Sequence, residues 1–353
     1  MSNDRPKKGP KKGGKVVDKT HVSCYNYKNL INGGGSFVMK RRLFAVALVV
    51  MLLVAAVPAS ATTYLSIATG GTQGTYYALG GDIANLLSKE IADVDITAQA
   101  TGGSVENIRL ISQREAELGT VQNDVATYAF NGVEAFEGEQ ITNFGVIGNL
   151  YPEVVQLVFS DESGIKTLED LKGKRVSIGA AGSGVYQNAI DFLTIAGLTL
   201  DDIDEQLLSF GESTDAIKNR QIDAAFVTAG IPNPGVTDLA STHDIELMSL
   251  SDEVVDKLCA DHPYYTKFVI PASTYASQGS DAATVNISAI MIASSDMDEQ
   301  LVYDITKTIY EKTAELTHAK RSEILIDNAL AGFDAEMLHP GAARYYTELG
   351  LLN

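Results

Sequence analysis

Histidine and cysteine are scarce in this 353-residue chain, with five of the first and two of the second. Cys24 falls in a segment read below as removed, which leaves Cys259 alone. One thiol makes no internal disulfide, and a chain of this size buries a core without one. His262 stands three residues beyond Cys259, but the intervening Ala260-Asp261 carries no recognisable nucleophile signature. His243, His318 and His339 are scattered, and no spacing among the four histidines matches a metal set or a catalytic triad. The expectation is therefore no metal, no cofactor and no catalytic residue. Gly182-Ser183-Gly184 has the wrong spacing for a nucleophile elbow, and no Gly-Lys-Ser/Thr follows it as in a Walker loop. Carboxylate pairs such as Asp201-Asp202 and Asp252-Glu253 fall at turns and helix starts, where acids cap or face water.

Basic residues are also few, and they are unevenly placed. Residues 1–38 are basic, Gly-rich and without apolar periodicity, and are read as an upstream extension ahead of the true start at Met39. Lys40-Arg41-Arg42, the apolar run Leu43 to Val57 and Pro58-Ala59-Ser60-Ala61 then describe a secretory signal peptide over residues 39–61, cut before Thr62. The apolar run is shorter than the roughly 20 residues a membrane span needs. Beyond residue 61 the chain keeps 16 Lys and Arg against 43 Asp and Glu, a balance of −27. Such a surface excludes nucleic acid as a partner and argues against docking on anionic lipid. A saline habitat would produce the same bias, because salt screens the self-repulsion.

What the chain has in abundance is a recurring unit, a strand-like run that ends in glycines and hydroxyls and turns into a helix. The first is Tyr64 to Ala68, then Gly70-Gly71-Thr72-Gln73-Gly74-Thr75-Tyr76-Tyr77, then a helix with Leu79, Ile83, Leu86 and Leu87 on one face. The second runs Val94 to Ala100, Thr101-Gly102-Gly103-Ser104, with Ser104 as N-cap, then Val105, Ile108 and Ile111. The third is Leu118 to Val121 followed by Gln122-Asn123-Asp124. The fourth is Arg175 to Ala180, then Ala181-Gly182-Ser183-Gly184-Val185; the fifth is Asp223 to Val227, then Thr228-Ala229-Gly230-Ile231-Pro232. Free N–H groups and the positive dipole end at each helix start favour an anion. Alternation of strands and helices over about 290 residues predicts an α/β protein of two domains with largely parallel sheets. The apolar run Phe144 to Phe159 reads as one or two buried strands, with a first crossing between domains near Ser160. From Phe268 the chain returns, giving one lobe of residues 62–160 plus 272–353 and another of 161–271. Of Tyr76, Tyr77 and Tyr275, one is expected to line the cleft.

These segments, taken in order, resemble the TAXI family of solute receptors from tripartite ATP-independent periplasmic (TRAP) transporters. The likeness is carried by Gly70 to Tyr77, Thr101 to Ser104 with Asn107, Gln122-Asn123-Asp124 and Gly179 to Gly184. Asp223 to Phe226, Ile270-Pro271 with Thr274-Tyr275, Thr284-Val285 and His339 to Ala342 extend it over nearly the whole chain after residue 61. The resemblance implies a two-lobed periplasmic binding protein of type II. It also implies a small carboxylate ligand, glutamate-like amino acids or dicarboxylates among them, delivered by a monomeric receptor to membrane permease subunits. Carried over, Gly71, Thr72, Gly74, Thr75, Tyr76, Ser104, Asn107, Gln122, Gly182, Ser183, Gly184 and Val185 would bind the ligand, with Thr228 and Gly230 opposite. Where such proteins usually have Thr after Gly-Ser-Gly, this chain has Val185, which removes a hydroxyl donor. Hinge bending is expected near Ser160 and Pro271. Two other readings share the fold class. One is a transferase that uses the Gly-rich loops for a phosphorylated substrate; the other is the binding protein of an ATP-driven importer.

Overall fold

A computed structural model describes residues 61–352 apart from Ser277, so the readings of residues 1–38 and of most of the signal segment lie outside the described residues. The first three strand–helix units form as expected. Strand β1 (Thr63–Ala68) leads into helix α1 (Thr75–Glu90), β2 (Val94–Gln99) into α2 (Ser104–Ser112), and β3 (Leu118–Gln122) into α3 (Asn123–Asn131). Gly132 takes the left-handed conformation (φ 67°) and stops α3, as the Asn-Gly pair suggests. Strand β4 then runs unbroken for 17 residues, Phe144–Ser160.

The second group follows: β5 (Arg175–Ser177), α4 (Val185–Ile195), β6 (Asp204–Gln206), α5 (Phe210–Lys218), β7 (Ala224–Ala229), α6 (Pro234–Thr242), β8 (Ile245–Leu247), α7 (Asp252–Asp261) and β9 (Thr266–Ile270). Asn233 caps α6 by accepting from the Val236 N–H, with Pro234 at the first helical position. Strand β10 (Ala282–Ser294) carries the chain back, and α8 (Glu299–Glu311) and α9 (Pro340–Glu348) complete it. The amphipathic run expected over Met297 to Leu316 is a shorter helix: Asp298 caps its start, and the last turn gives way to a tight turn at Thr313–Glu315. Among the described residues no helix is long and apolar enough to cross a membrane.

All ten strands join one sheet in the order β2-β1-β3-β10-β4-β7-β5-β6, with β8 on β4 and β9 on β10. Strands β1, β2 and β3 are parallel, as are β5, β6 and β7. The two groups are joined by the antiparallel pair β4 and β10, which both are long enough to serve. The first part of β4, Phe144 to Val154, pairs with β10, and its second part, Val154 to Phe159, pairs with β7. On β10, Ala289–Ala293 pair with β3, whereas Ala282–Asn286 pair with β9. The chain thus passes from the first group to the second around Tyr151–Val154 and returns around Asn286–Ala289. Each group has its own core. Ile67, Leu79, Ile83, Leu87, Ile305 and Ile309 pack on one face of the first, and Ile108, Ile111, Val121 and Phe136 on the other. Phe192, Phe226, Leu171 and Leu258 fill one face of the second, and Ile217, Val236 and Leu239 the other. Two parallel strand groups of this one sheet, each with its own core and joined by the crossing strand pair, make two lobes of one periplasmic-binding-protein fold.

Candidate ligand cleft between the lobes

In an open parallel sheet the crevice lies beyond the carboxyl ends of the strands, and here the ends of both groups face each other. The cavity between them measures about 60 Å³, enough for a small polar group. From the first lobe it is lined by Gly70, Gly71, Gly74, Thr75 and Tyr76 of the first loop, Thr101 to Ser104 of the second, and Gln122. From the second come Ala180, Ser183, Gly184 and Val185, then Ser209 and Phe210, then Thr228 and Ala229; Glu153 enters from the crossing strand.

Of the helices that begin at this cavity, α5 is capped by Ser209, whereas α1, α2 and α4 start from a glycine with no side-chain cap. The residues preceding α1, α2 and α4 are Gly74, Gly103 and Gly184. Ser104, expected as the cap of α2, is instead its first helical residue, because its Oγ accepts the Gln122 N–H at 3.0 Å. That bond ties the second loop to the end of β3 and leaves the α2 N-terminus open toward the cleft. Each open helix start carries roughly half a positive charge on its free N–H groups. Ser183 adds a hydroxyl that is buried and finds no partner among the described residues. Phe210 approaches the Gly74 backbone and gives the cavity one apolar wall.

The glycines let the two lobes meet. A Cβ on Gly102 would stand 2.2 Å from the Ala181 carbonyl oxygen of the other lobe, and Gly103 holds φ at 125° with its Cβ position 3.3 Å from Ser183 Cα. Closure is fixed by hydrogen bonds across the gap. Glu106 N–H donates to the Gly182 carbonyl at 3.1 Å, and Asn233 Nδ2 donates to the Gln73 carbonyl at 3.1 Å. Gln122 Nε2 donates to Asn188 Oδ1 at 2.6 Å, which also accepts from Thr228 Oγ1 at 2.9 Å. Asn188 Nδ2 reaches Asp124 Oδ2 at 3.2 Å and the Tyr265 hydroxyl at 2.9 Å. Burial holds the Asp124 carboxyl up at about 7.

Four of the expected residues lie outside the cavity lining. Thr72 is exposed at the outer side of its turn. Asn107 is fully buried and donates to the Thr69 and Thr120 carbonyls at 2.6 and 2.8 Å while accepting from Thr101 Oγ1, so it positions the loops rather than reaching the cavity. Gly182 borders a separate, more open cavity of about 320 Å³, whose Arg109 is engaged with the Ala135 carbonyl and Glu139. A Cβ on Gly230 would stand 2.6 Å from Lys320 Cε and 3.0 Å from Thr75 Oγ1, so this glycine permits the lobes to approach. Tyr76 lines the cavity, whereas Tyr275 is buried with its hydroxyl donating to Gln156 and accepting from Asn233 N–H. Cys259 is half-buried and its thiol is pushed up by burial, the reverse of what a nucleophile needs.

Glu153, Ser209, Phe210 and Asn188 were not expected. Glu153 is 3 % exposed, and its carboxylate accepts from the hydroxyls of Tyr76 at 2.5 Å and Tyr151 at 3.3 Å. Desolvation pushes it up to about 8, against the downward pull of the two tyrosines. Its signal was present: it is the only charged residue in the apolar run from Phe144 to Phe159. The cavity lining contains no Lys, Arg or His. Among the described residues no group of three or more His, Cys, Asp and Glu is placed to hold a metal ion.

A closed cleft between two α/β lobes, with polar loops from both, is the architecture of a binding protein of the periplasmic type. The chain belongs to the NMT1-like family, whose model matches residues 67–350. Among solved structures it is similar to a protein of Bordetella bronchiseptica RB50, at 16 % identity and a TM-score of 0.52 over 82 % of each chain. Similarity extends to the periplasmic aliphatic sulphonate binding protein SsuA of Escherichia coli (16 % identity, TM-score 0.42, 82 % of this chain and 88 % of that one). It also includes PhnD1 of Prochlorococcus marinus MIT 9301 in complex with methylphosphonate (11 %, 0.46, 82 % and 99 %).

Proposed function

We propose that this chain is an extracytoplasmic solute receptor that captures a small carboxylate in the interlobe cleft and hands it to a membrane permease of the TRAP type. The observation that carries this reading is the convergence of three uncapped helix starts and the unpartnered Ser183 hydroxyl on one cavity without a cationic side chain. Neutral and dipolar donors hold a carboxylate through charge-assisted bonds worth about 1.5–3 kcal/mol each. Gly71, Gly74, Thr75, Tyr76, Ser104, Gln122, Ser183, Gly184, Val185 and Thr228 form the binding surface. Thr72, Asn107, Gly182 and Gly230 act by shaping the loops. The lobes part and close by bending of β4 and β10 where they cross, around Tyr151–Val154 and Asn286–Ala289, inward of the Ser160 and Pro271 positions read from the sequence. The leader expected at residues 39–61 supports export.

The protein is a binder and not an enzyme. Glu153, the one carboxyl lining the cavity, is engaged by two tyrosine hydroxyls. An ATP-driven importer in place of the TRAP permease is the second reading, favoured by the sulphonate- and phosphonate-binding relatives named above. Both readings are tested by a thermal-shift screen of the chain from Thr62 onward against amino acids, dicarboxylates, 2-oxo acids, sulfonates and sugar phosphates. A ligand at 100 times its Kd adds about 2.7 kcal/mol of stability. A shift with carboxylates is the expected result; shifts confined to sulfonates or phosphates would overturn the carboxylate reading.

A further inference from the structure

The cavity offers both donors and acceptors. The three open helix starts and Ser183 supply donors, whereas Glu153 supplies only oxygens, and those oxygens are shared with Tyr76 and Tyr151 alone. A carboxylate accepts about four hydrogen bonds, so two sites on Glu153 are unfilled by its tyrosines. The nearest candidate cation does not fill them. Lys320 Nζ is bonded to Glu323 Oε1 at 2.7 Å and sits 6.0 Å from the centre of the Tyr151 ring. A buried carboxyl without a cation is costly to ionise and takes up a proton instead. Around Glu153 stand Tyr76 on α1, Tyr151 on its own strand, Asp124 on α3, and Lys320 with Glu323 near residue 320; Asp124 and burial raise it, Lys320 and the tyrosines lower it. Ionised Glu153 would repel a second anionic group beside it, which a dicarboxylate would bring, and would attract a cation.

We propose that Glu153 receives a cationic nitrogen of the solute, so that the cargo is an α-amino acid held by its carboxylate at the helix starts and by its ammonium at Glu153. The inference rests on the carboxylate reading above and narrows it. On binding, the Glu153 O–H bond breaks and the proton passes to solvent, while the ammonium takes its place as hydrogen-bond donor. Tyr76 and Tyr151 then hold the carboxylate in position.

Calorimetry of the chain from Thr62 onward at pH 7 tests this with matched pairs, L-alanine against propionate and L-glutamate against glutarate, in buffers of different ionisation enthalpy. The amino member of at least one pair should bind about tenfold tighter or more than its partner. It should release about one proton, because Glu153 is protonated below about 8 in the free protein. Glu153→Gln should shrink the ratio to about threefold or less and abolish proton release, with far-UV circular dichroism confirming the fold. The wild-type proton count needs no variant, so a misfolded Glu153→Gln leaves the test intact. Equal or tighter binding of propionate or glutarate, or no proton release with the amino member, overturns this inference alone. Failure of every pair member to bind overturns the carboxylate reading and this inference with it.

Discussion

Two polar regions lie side by side between the lobes, and they differ in one respect. Around Asn188 every side-chain group is matched: its amide bridges Gln122, Thr228, Asp124 and Tyr265, and the Tyr265 hydroxyl goes on to Asp191 at 2.8 Å. Farther out, Tyr128, Tyr264 and His262 extend the chain of partners. In the cavity next to it, three helix starts lack caps and the Ser183 hydroxyl stands alone. Buried polar groups are ordinarily satisfied, so we read the satisfied cluster as holding the lobes together and the unsatisfied one as the proposed solute site.

The comparison breaks most severely if the lobes cannot meet. Gly102→Ala would drive a Cβ into the backbone oxygen of Ala181, and backbone has little room to yield. Solute affinity, measured by calorimetry, should fall about 100-fold or more if closure is disfavoured by ~3 kcal/mol, while the separate lobes keep their circular dichroism. Unchanged affinity in this variant would place the ligand elsewhere.

Removing the hub of the satisfied cluster should act on stability. Asn188→Ala leaves Gln122, Asp124 and Thr228 short of a buried partner, and should cost about 2–4 kcal/mol in urea unfolding. Ser183→Ala removes a hydroxyl that finds no partner among the described residues. Its stability should stay within about 0.5 kcal/mol of the parent, while solute affinity drops about three- to thirtyfold. If the two variants behave alike, the distinction between the regions is wrong.

A further effect is on pH. Asp124 and Glu153 have folded values of about 7 and 8, raised above those of an unfolded chain. The folded state therefore binds more protons than the unfolded one between about pH 4 and these values, and stability should decline as pH rises through that window. Asp124→Asn should flatten the part of the decline below pH 7, as read by denaturant midpoints at several pH values.

Much of the cleft was legible because anion-binding turns leave a local mark: a strand, glycines with hydroxyls, then an amphipathic helix. Gly74, Ser183 and Gly184 line the cavity for that reason. What was not legible is set by contacts distant in sequence. Ser104 was read as a cap from its local position, but its hydroxyl is taken by Gln122, 18 residues on. Asn188 sits inside a helix whose pattern suggests only packing, and its role depends on Asp124 and Tyr265, more than 60 residues away on either side. The run from Phe144 to Phe159 left one or two strands open, because periodicity cannot show where a long strand changes partners; the structure makes it one, with β10 then β7 beside it.

The most direct test of the proposed site reads the backbone amides themselves. A carboxylate that saturates the chain in the thermal-shift screen is titrated into 15N-labelled protein from Thr62 onward, and amide shifts are followed by NMR. The largest shifts should fall at Thr75, Ser104, Ser183, Gly184 and Val185, the residues at the open helix starts. Saturable binding that leaves those amides unmoved would contradict the assignment of the cleft.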